Sequence, residues 1–252
     1  KPQPQKAYMG RSYSEEEIAA AVKKYRGWVV PVEVEDVIKE TSRLISQRYI
    51  IGWFQGGSEF GPRALGHRSI LCDTRFPEMK DILNKRVKHR ESFRPFAPRI
   101  LQEYNSEYFD LDCPSPYMLL IARVKKPEAV PAITHVDQTA RVQTVTKEEN
   151  DRYYDLIKEY HQLTGVPVIL NSSFNVAGEP IVEAPEDAIR CFISTQIDYL
   201  ALGDTLLAKR KLKCRILKEW PQELKRLTVK KLKILAGRYP FLKKVKKKIE
   251  KI

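Results

Sequence analysis

The chain has 252 residues, of which 42% are hydrophobic and 31% charged, and its formal net charge is +13. A chain of this length and composition can bury a large core, which excludes a wholly disordered protein, and no apolar run reaches the roughly 20 residues that span a bilayer. Residues 209–252 hold 18 Lys and Arg against 3 Asp and Glu, whereas residues 1–208 hold 27 against 29. The basic character therefore belongs to the C-terminal tail, and the main part of the chain is nearly neutral.

The N-terminal residues and the cysteines indicate where in the cell the protein is found. Residues 1–13 carry charges but no apolar stretch, so we predict a linker or a cut end and no secretory signal there. The four cysteines show no CxxC pair and no set of close, even spacings, which predicts reduced thiols in a cytoplasmic protein: Cys72, Cys113, Cys191 and Cys214.

Helical and strand patterns alternate along residues 14–210. Ser14 and Glu17 form a capping box, which predicts a helix that begins at Ser14 and ends near Tyr25. Strands are then predicted over residues 49–54, 69–73, 117–124, 140–145, 168–170 and 199–208, and helices over residues 37–45, 77–88, 148–163 and 186–194. This order predicts an α/β (α+β) domain over residues 14–210, with a twisted mixed sheet and flanking helices.

The tail, residues 211–252, differs from the rest of the chain. Leucines and Trp220 recur between residues 217 and 235 at helical spacing, with lysines on the opposite face, so we predict a basic amphipathic helical tail. Four roles stay open: docking to a partner, attraction to an anionic membrane surface, sequence-independent nucleic-acid binding, and a solvated appendage without a partner.

Two loops follow predicted buried strands, at the place where α/β sheets bind ligands. The first is the glycine-rich stretch of residues 55–66, which contains Arg63, and the second is residues 171–175. Neither matches a P-loop or the GxGxxG spacing. The pattern indicates an anion site with Arg63, although Gly61 and Pro62 would also suit a simple turn with Arg63 as a surface ion-pair partner.

A basic stretch framed by prolines lies between residues 85 and 99. Its cations are Lys85, Arg86, Lys88, Arg90, Arg94 and Arg99. Guanidinium groups held on a stiff segment suit phosphate oxygens, because the planar fork can donate two hydrogen bonds to one phosphate. Two alternatives are a solvated basic face of helix 77–88 and stacking of Phe93 and Phe96 on nucleic-acid bases. Pro95 and Pro98 favour a rigid loop for a small ligand.

Residues 134–144 are unusually polar for a segment between strands, and such a density of hydrogen-bonding groups favours a ligand. His135 and Asp137 have the composition of a metal site, but a loop histidine with satisfied hydrogen bonds explains the pair as well, and we predict no protein-bound transition metal. No GxSxG motif and no activated cysteine is present, which favours catalysis by positioning and charge neutralisation.

Five motifs together resemble the C-terminal domain of the O-carbamoyltransferase family, which includes nodulation-factor, cephamycin and tobramycin carbamoyltransferases. The motifs come in the family's order: residues 52–71 (GWFQGGSEFGPRALGHRSIL), 93–98 (FRPFAP), 134–144 (THVD and TARVQT), 171–182 (NSSFN and GEPIV) and 198–204. The resemblance covers roughly residues 8–208 and implies a YrdC-like domain. It implies binding of carbamoyl phosphate and ATP with Mg²⁺ on the nucleotide, and formation of a carbamoyl-adenylate.

The resemblance also implies roles for particular side chains. The cations that would hold carbamoyl phosphate and the nucleotide phosphates are Arg63, Lys88, Arg94 and Arg141. The residues that would contact the nucleotide are Asn171, Ser173 and Asn175, and those that would form the pocket wall are Thr134, His135 and Asp137.

The family's N-terminal actin-like domain, which transfers the carbamoyl group to an acceptor hydroxyl, does not occur in this chain. The chain is therefore expected to be either a fragment or one subunit of a split enzyme, and to need that domain for the full transfer. Two competing functions are a non-catalytic scaffold and an RNA-binding YrdC-like module. The near-neutral charge of residues 1–208 argues against nucleic acid as a partner of the domain.

Overall fold

A computed structural model describes residues 7–91 and 93–210 of the chain. The helices are α1 (Glu15–Lys24), α2 (Val37–Ser46), α3 (Glu78–Leu83), α4 (Asn105–Tyr108), α5 (Asp151–Thr164) and α6 (Pro185–Ser194). The strands are β1 (Val29–Val32), β2 (Ile51–Phe54), β3 (Arg68–Asp73), β4 (Ala97–Leu101), β5 (Ile121–Arg123), β6 (Thr139–Arg141), β7 (Gln143–Val145), β8 (Val168–Ser173), β9 (Tyr199–Leu202) and β10 (Thr205–Lys209).

Eight of these strands form one mixed sheet in the order β1-β10-β9-β2-β3-β8-β4-β7. The pairs β9–β10, β2–β3, β3–β8 and β4–β8 are antiparallel, whereas β2–β9 and β4–β7 are parallel. A separate antiparallel pair joins β5 to β6. The predicted α/β (α+β) fold, a mixed sheet with flanking helices, is confirmed.

Local sequence signals explain where the first helices begin. Ser14 and Glu17 make both bonds of a capping box at the start of α1, with N–O distances of 3.0 and 3.3 Å. Asp36 caps α2 by accepting from the backbone N–H groups of Ile38 and Lys39. The buried Ser42 hydroxyl of α2 then donates to the backbone carbonyl of Leu156 in α5, 2.8 Å away, which joins the two helices.

The hydrophobic core lies around the central strands. Every residue of β2, β3 and β4 is buried, as expected for strands covered on both faces. The largest apolar side chains with almost no exposure are Trp53, Phe54, Phe109, Phe174 and Phe192. Burial of a large apolar side chain contributes roughly 1.5–3 kcal/mol each, so this cluster is a main source of the stability of the sheet.

Several element boundaries differ from the sequence expectations. The predicted single strand 199–208 is a hairpin, because Gly203 takes a φ of +58° and reverses the chain between β9 and β10. The predicted strand 140–145 is interrupted at Val142, so that β6 pairs with β5 and β7 joins the main sheet. The predicted strand 117–124 is restricted to β5 (Ile121–Arg123).

The helix predicted over residues 77–88 changes character halfway. It is α-helical over Glu78–Leu83 and continues as a π-helix over Asn84–Lys88, which ends at His89 in the left-handed region with φ of +48°.

Strand β4 contains Pro98, although interior strands usually exclude proline. The pairing of β4 with β7 begins at Arg99. Pro98 therefore has no β7 residue opposite it, and the N–H group that proline lacks leaves no hydrogen bond to β7 unmade.

The chain divides into two units, residues 1–208 and 209–252, and the tail predicted over residues 211–252 lies outside the described residues. The domain boundary at residue 210 therefore stays a prediction.

Within residues 7–91 and 93–210, none of the helices has the length and apolar character that a membrane crossing requires. Cys72 and Cys113 are free thiols, and Cys191 is buried.

Candidate functional site

Five stretches of the described chain converge on a polar cavity of about 440 Å³. They are the loop between β2 and β3, the segment before β4, the start of β5 with the residues before it, the strands β6 and β7 with the turn that precedes them, and the end of β8. The charged and polar side chains that line the cavity are Arg63, Arg90, Arg94, His135, Asp137, Thr139, Arg141, Gln143, Asn171, Ser172 and Ser173. A cavity of this size accommodates a small ligand.

The cavity is strongly positive. Among the residues that the structure describes, four arginines line it, and Asp137 supplies the one lining carboxylate. Arg94 pairs with Glu91 at 3.7 Å, but among the described residues no carboxylate lies within 4.0 Å of the guanidinium groups of Arg63, Arg90 or Arg141. Uncompensated arginines in one concave site attract anions, and their planar forks fit phosphate oxygens.

Glu59 organises the loop that carries Arg63. Its Oε1 atom accepts three backbone hydrogen bonds, from the N–H groups of Leu65, His67 and Arg68, at 2.7, 2.8 and 3.1 Å. The loop contains a second fixed point at Gly66, which has a φ of +109° and lies so close to the Tyr153 ring that a Cβ would approach it to 2.3 Å. The conformation of the loop is thus set by interactions away from the cavity.

We expect Glu59→Ala to lower the free energy of unfolding by about 2–4 kcal/mol, because three backbone N–H groups lose a charged acceptor. Glu59→Gln retains an acceptor oxygen and is expected to lose less than half as much. Chemical denaturation of both variants measures the effect, with the exposed Glu128→Ala as the control. Equal losses for Glu59→Gln and Glu59→Ala would show that the three bonds do not carry the effect.

The backbone carbonyl of Ala64, next to Arg63, is held from two strands at once. The Asn171 side chain on β8 donates to it at 2.8 Å, and the Gln143 side chain on β7 donates to it at 3.1 Å. Asn171 also donates to the side-chain oxygen of Gln143 at 2.6 Å, whereas its own Oδ1 atom is buried without a hydrogen-bond partner in the described structure. The Asn171 Oδ1 atom is thus a buried acceptor whose hydrogen-bonding capacity is unused among the described residues.

Lys88 lies behind the floor of the cavity and is almost completely buried. Its Nζ atom lies 2.5–3.2 Å from four oxygens, the backbone and side-chain oxygens of Ser173 and of Asn175. Burial, and to a smaller extent the nearby Arg90, lowers the pKa of Lys88 to about 7. The lysine thus fixes the end of β8, from which Ser173 reaches the cavity.

His135 and Asp137 form one side of the cavity with Thr139. The Asp137 carboxylate accepts from the Thr139 hydroxyl at 2.6 Å and from the Thr139 backbone N–H at 3.0 Å, and these bonds lower the pKa of Asp137. His135 Nδ1 lies 3.1 Å from the same carboxylate. In the described ranges no three His, Cys, Asp or Glu side chains form a metal-binding group.

Arg68, which follows the Arg63 loop in sequence, faces away from the cavity. It is fully buried over the ring of Phe54, 3.6 Å from its centre, and donates to the backbone carbonyls of Gln55 and Gly56 at 2.6 and 3.0 Å. Burial lowers the pKa of Arg68 to about 10. Arg68 on β3 therefore points into the protein interior. There its hydrogen bonds fix Gln55 and Gly56, which begin the loop between β2 and β3.

Seven of the ten side chains predicted as site residues line the cavity together: Arg63, Arg94, His135, Asp137, Arg141, Asn171 and Ser173. Lys88, Thr134 and Asn175 do not line it. Lys88 and Asn175 contact each other beneath the floor, and the Thr134 hydroxyl donates to the carbonyl of Val130 at 3.0 Å. That any of the ten binds a ligand stays a prediction.

Sequence reasoning missed four of the polar lining residues, which are Arg90, Thr139, Gln143 and Ser172. Arg90 lies in the basic stretch of residues 85–99, which contains six cations. The sequence alone does not indicate which of the six line the cavity. Gln143 has a sequence signal, because it lies two positions after Arg141 in a strand pattern and therefore on the same side of the chain.

An apolar groove of about 810 Å³ adjoins the cavity. Arg63 and Arg141 line both spaces, and the remainder of the groove is formed largely by apolar side chains such as Met9, Phe60 and Leu119. A charged cavity thus opens directly beside a hydrophobic surface.

Comparison with known proteins gives the following similarities. Residues 42–209 match the family profile described as carbamoyltransferase C-terminus. The chain is 44% identical over 227 residues to the protein sll1178 of Synechocystis, covering 81% of this chain and 37% of that protein. It is 46% identical over 181 residues to nodulation protein NolO of Bradyrhizobium diazoefficiens, covering 70% and 33%. The chain spans about a third of the length of these curated relatives.

A similar solved structure is that of full-length HypF in a phosphate- and nucleotide-bound form. The TM-score is 0.44 at 19% sequence identity, and the match covers 64% of this chain and 20% of that chain.

Proposed function

Since the chain belongs to the carbamoyltransferase C-terminal family, we propose that its cavity binds carbamoyl phosphate and ATP and forms a carbamoyl-adenylate for transfer to an acceptor hydroxyl. The observation that carries the proposal is the group of four arginines around one small cavity, three of them without an ion-pair partner among the described residues. Two anionic substrates repel each other in water, and fixed cations offset that repulsion where the substrates meet.

Atom balance defines the steps. Water cleaves carbamoyl phosphate to carbamate and inorganic phosphate, and a carbamate oxygen then attacks the α-phosphorus of ATP while the bond to pyrophosphate breaks. Negative charge increases on the phosphoryl oxygens in the transition state, and guanidinium groups stabilise it there. Arg63, Arg94 and Arg141 are proposed for this role.

The remaining lining residues are proposed to orient the substrates. Asn171 and Ser173 line the cavity at the end of β8, and their polar side chains suit the amide of a carbamoyl group. The adjoining groove, with Met9, Phe60 and Leu119, offers an apolar surface for the adenine ring. Arg63 and Arg141 would then hold the phosphates between the two spaces. His135 and Asp137 are proposed as the opposite wall, whereas Lys88 and Asn175 support the floor.

The residues fit a Mg²⁺ ion that arrives with the nucleotide. Mg²⁺ prefers phosphate oxygens, waters and one or two carboxylates, and Asp137 is the carboxylate that lines the cavity. Bound in this way, the ion supplies charge neutralisation on the phosphates.

We further propose that transfer to the acceptor requires an N-terminal actin-like domain, as part of a longer protein or as a separate subunit. The support is that the chain spans about a third of its curated relatives. A role of the tail in contact with a partner or with a membrane surface stays a proposal as well, and so does a cytoplasmic location.

Isotope exchange between ATP and pyrophosphate tests the proposed reaction. We expect exchange only when carbamoyl phosphate and Mg²⁺ are both present, together with release of inorganic phosphate and pyrophosphate in equal amounts. Acetyl phosphate, which has the phosphate but not the amide, is the matched control and is expected to support little exchange. Calorimetric binding of neither ATP nor carbamoyl phosphate to the full chain would contradict the proposal.

A further inference from the structure

We propose that Tyr8 is a positioning residue for Arg63. Tyr8 acts together with the backbone of residues 7–10, the N-terminal segment, on residues 55–67, the Arg63 loop. Its part in catalysis rests on the proposed function, whereas the contacts that hold the loop can be tested without a ligand.

The Arg63 loop depends on contacts with other segments for its shape. It joins β2 to β3 and contains no helix or strand. The Arg63 side chain is exposed and makes no ion pair among the described residues. The position of its guanidinium group therefore depends on the backbone from which it extends, and the contacts that hold this backbone position the charge.

The N-terminal segment runs along the first half of the loop and bonds to it through the backbone. The Gly10 N–H group donates to the Ser58 carbonyl at 2.9 Å, and the Phe60 N–H group donates to the Ala7 carbonyl at 2.6 Å. The close approach requires a residue without a side chain, because a Cβ on Gly57 would lie 2.3 Å from the Gly10 carbonyl oxygen. Two backbone bonds thus fix the first half of the loop.

The Tyr8 side chain reaches the second half of the loop. Its hydroxyl donates to the Leu65 carbonyl at 2.9 Å, and its ring stacks on His67 with 3.9 Å between the ring centres and 20° between the planes. Burial raises the pKa of Tyr8, which keeps the hydroxyl protonated as a donor. Arg63 therefore lies between two fixed points, the backbone bonds before it and the Tyr8 contacts after it.

Tyr8 is itself anchored at the start of α5. The Asn150 side-chain amide donates to the Tyr8 hydroxyl at 3.3 Å, and the Asn150 side-chain oxygen caps α5 by accepting from the Tyr153 N–H group at 3.0 Å. The His67 ring on which Tyr8 stacks has its Nδ1 atom 2.6 Å from the Gly57 carbonyl oxygen, near the other end of the loop. The contacts of one tyrosine thus join both ends of the loop to a helix of the domain.

The N-terminal segment also forms part of the groove beside the cavity. Ala7 and Met9 line the groove together with Arg63, whereas Tyr8 between them points at the loop, as expected where side chains alternate. One side of the segment therefore faces the proposed nucleotide surface and the other side holds the loop. Loss of the Tyr8 contacts is expected to displace Arg63, and a displacement of about 1 Å at a reacting group can lower a rate about 10²-fold.

Hydrogen–deuterium exchange of the full chain tests the positioning without a ligand. We expect Tyr8→Ala to speed exchange of the hydrogen-bonded amides within residues 60–67 about tenfold, because both the hydroxyl bond and the ring stack are lost. Tyr8→Phe retains the ring and is expected to have a smaller effect. The control is Tyr49→Ala, since Tyr49 contacts another ring, that of Tyr199, and lines neither the cavity nor the groove. Unchanged exchange across the loop in Tyr8→Ala would overturn the inference.

A double-mutant cycle separates positioning of Arg63 from a general effect on stability. We expect Tyr8→Ala to lower carbamoyl-phosphate-dependent ATP/pyrophosphate exchange about 10- to 100-fold, and Tyr8→Phe to have an intermediate rate. In the Arg63→Ala background Tyr8→Ala is expected to add less than about twofold, because it acts through Arg63. Two multiplying effects would show that Tyr8 is only a structural residue. If Tyr8→Ala fails to fold, Tyr8→Phe replaces it in both measurements.

The outcomes distinguish this inference from the proposed function. A wild-type rate of ATP/pyrophosphate exchange in Tyr8→Ala would overturn the role of Tyr8 and leave the proposed function intact. No carbamoyl-phosphate-dependent exchange by the wild-type chain would overturn the proposed function instead, and the hydrogen–deuterium exchange would then decide whether Tyr8 holds the loop.

Discussion

Arg63→Ala is expected to reduce carbamoyl-phosphate-dependent ATP/pyrophosphate exchange about 10²- to 10³-fold. Arg63 lines both the polar cavity and the adjoining groove, so it is placed to contact phosphates at the junction of the two spaces. Removal of one pre-positioned charged donor from a transition state typically has an effect of this size. Arg63→Lys retains the charge but not the planar fork and is expected to recover part of the rate.

The fold should not change in Arg63→Ala, because the side chain is exposed and makes no ion pair among the described residues. The unfolding temperature is therefore expected to match that of the wild type. Arg123→Ala is the matched control, since Arg123 is an exposed arginine on β5 that does not line the cavity. Exchange by Arg63→Ala within about twofold of the Arg123→Ala rate would remove Arg63 from the proposed site.

Lys88→Met is expected to reduce the same exchange about 10²-fold, although Lys88 does not line the cavity. Four oxygens of Ser173 and Asn175 surround Nζ, and methionine offers them no donor. The end of β8 would then shift, and a displacement of about 1 Å at a reacting group can have an effect of this order. Lys85→Met, an exposed position on the same π-helix, is expected to retain the rate.

Lys88→Met should also change how stability depends on pH. The pKa of Lys88 falls from an ordinary value of 10.5 to about 7 in the folded chain, so between these values the unfolded chain binds more protons. Stability therefore rises with pH across this window, by up to about 1.4 kcal/mol per pH unit from this group. The free energy of unfolding is measured against pH for the wild type and for both variants. The difference between wild type and Lys88→Met should rise with pH across this window, whereas the difference between wild type and Lys85→Met should not change with pH. Parallel curves for wild type and Lys88→Met would show that Lys88 is not held with a lowered pKa.

Much of the fold follows from signals that are local in sequence. The capping box of Ser14 and Glu17 and the N-cap of Asp36 mark the first two helices, and alternating patterns mark the strands. The boundaries that differ depend on distant contacts. Val142 interrupts a continuous strand pattern because the two halves of that pattern pair with different strands, β5 and β4, and no residue near Val142 indicates this.

The site could be predicted in composition but not in the roles of its members. The polar motifs drew attention to most of the residues that line the cavity, because strand ends and glycine-rich loops collect binding groups. Whether a lysine points into the cavity or beneath it depends on the π-turn at residues 84–88, which adds one residue to a helical turn without a sequence signal of its own. The roles of Lys88 and Arg90 therefore required the structure.

The single residue between β6 and β7 has a consequence for the tolerance of this region to insertions and deletions. Arg141 and Gln143 both line the cavity because they are two positions apart, and Gln143 in turn grips the Ala64 carbonyl. An insertion of one residue at position 142 would send one of the two to the opposite face, since side chains in extended backbone alternate. In homologous chains we expect the turn before Thr139 to vary in length and the spacing of Arg141 and Gln143 to stay at two. This Arg-x-Gln spacing is therefore a reference point for aligning homologous sequences in this region.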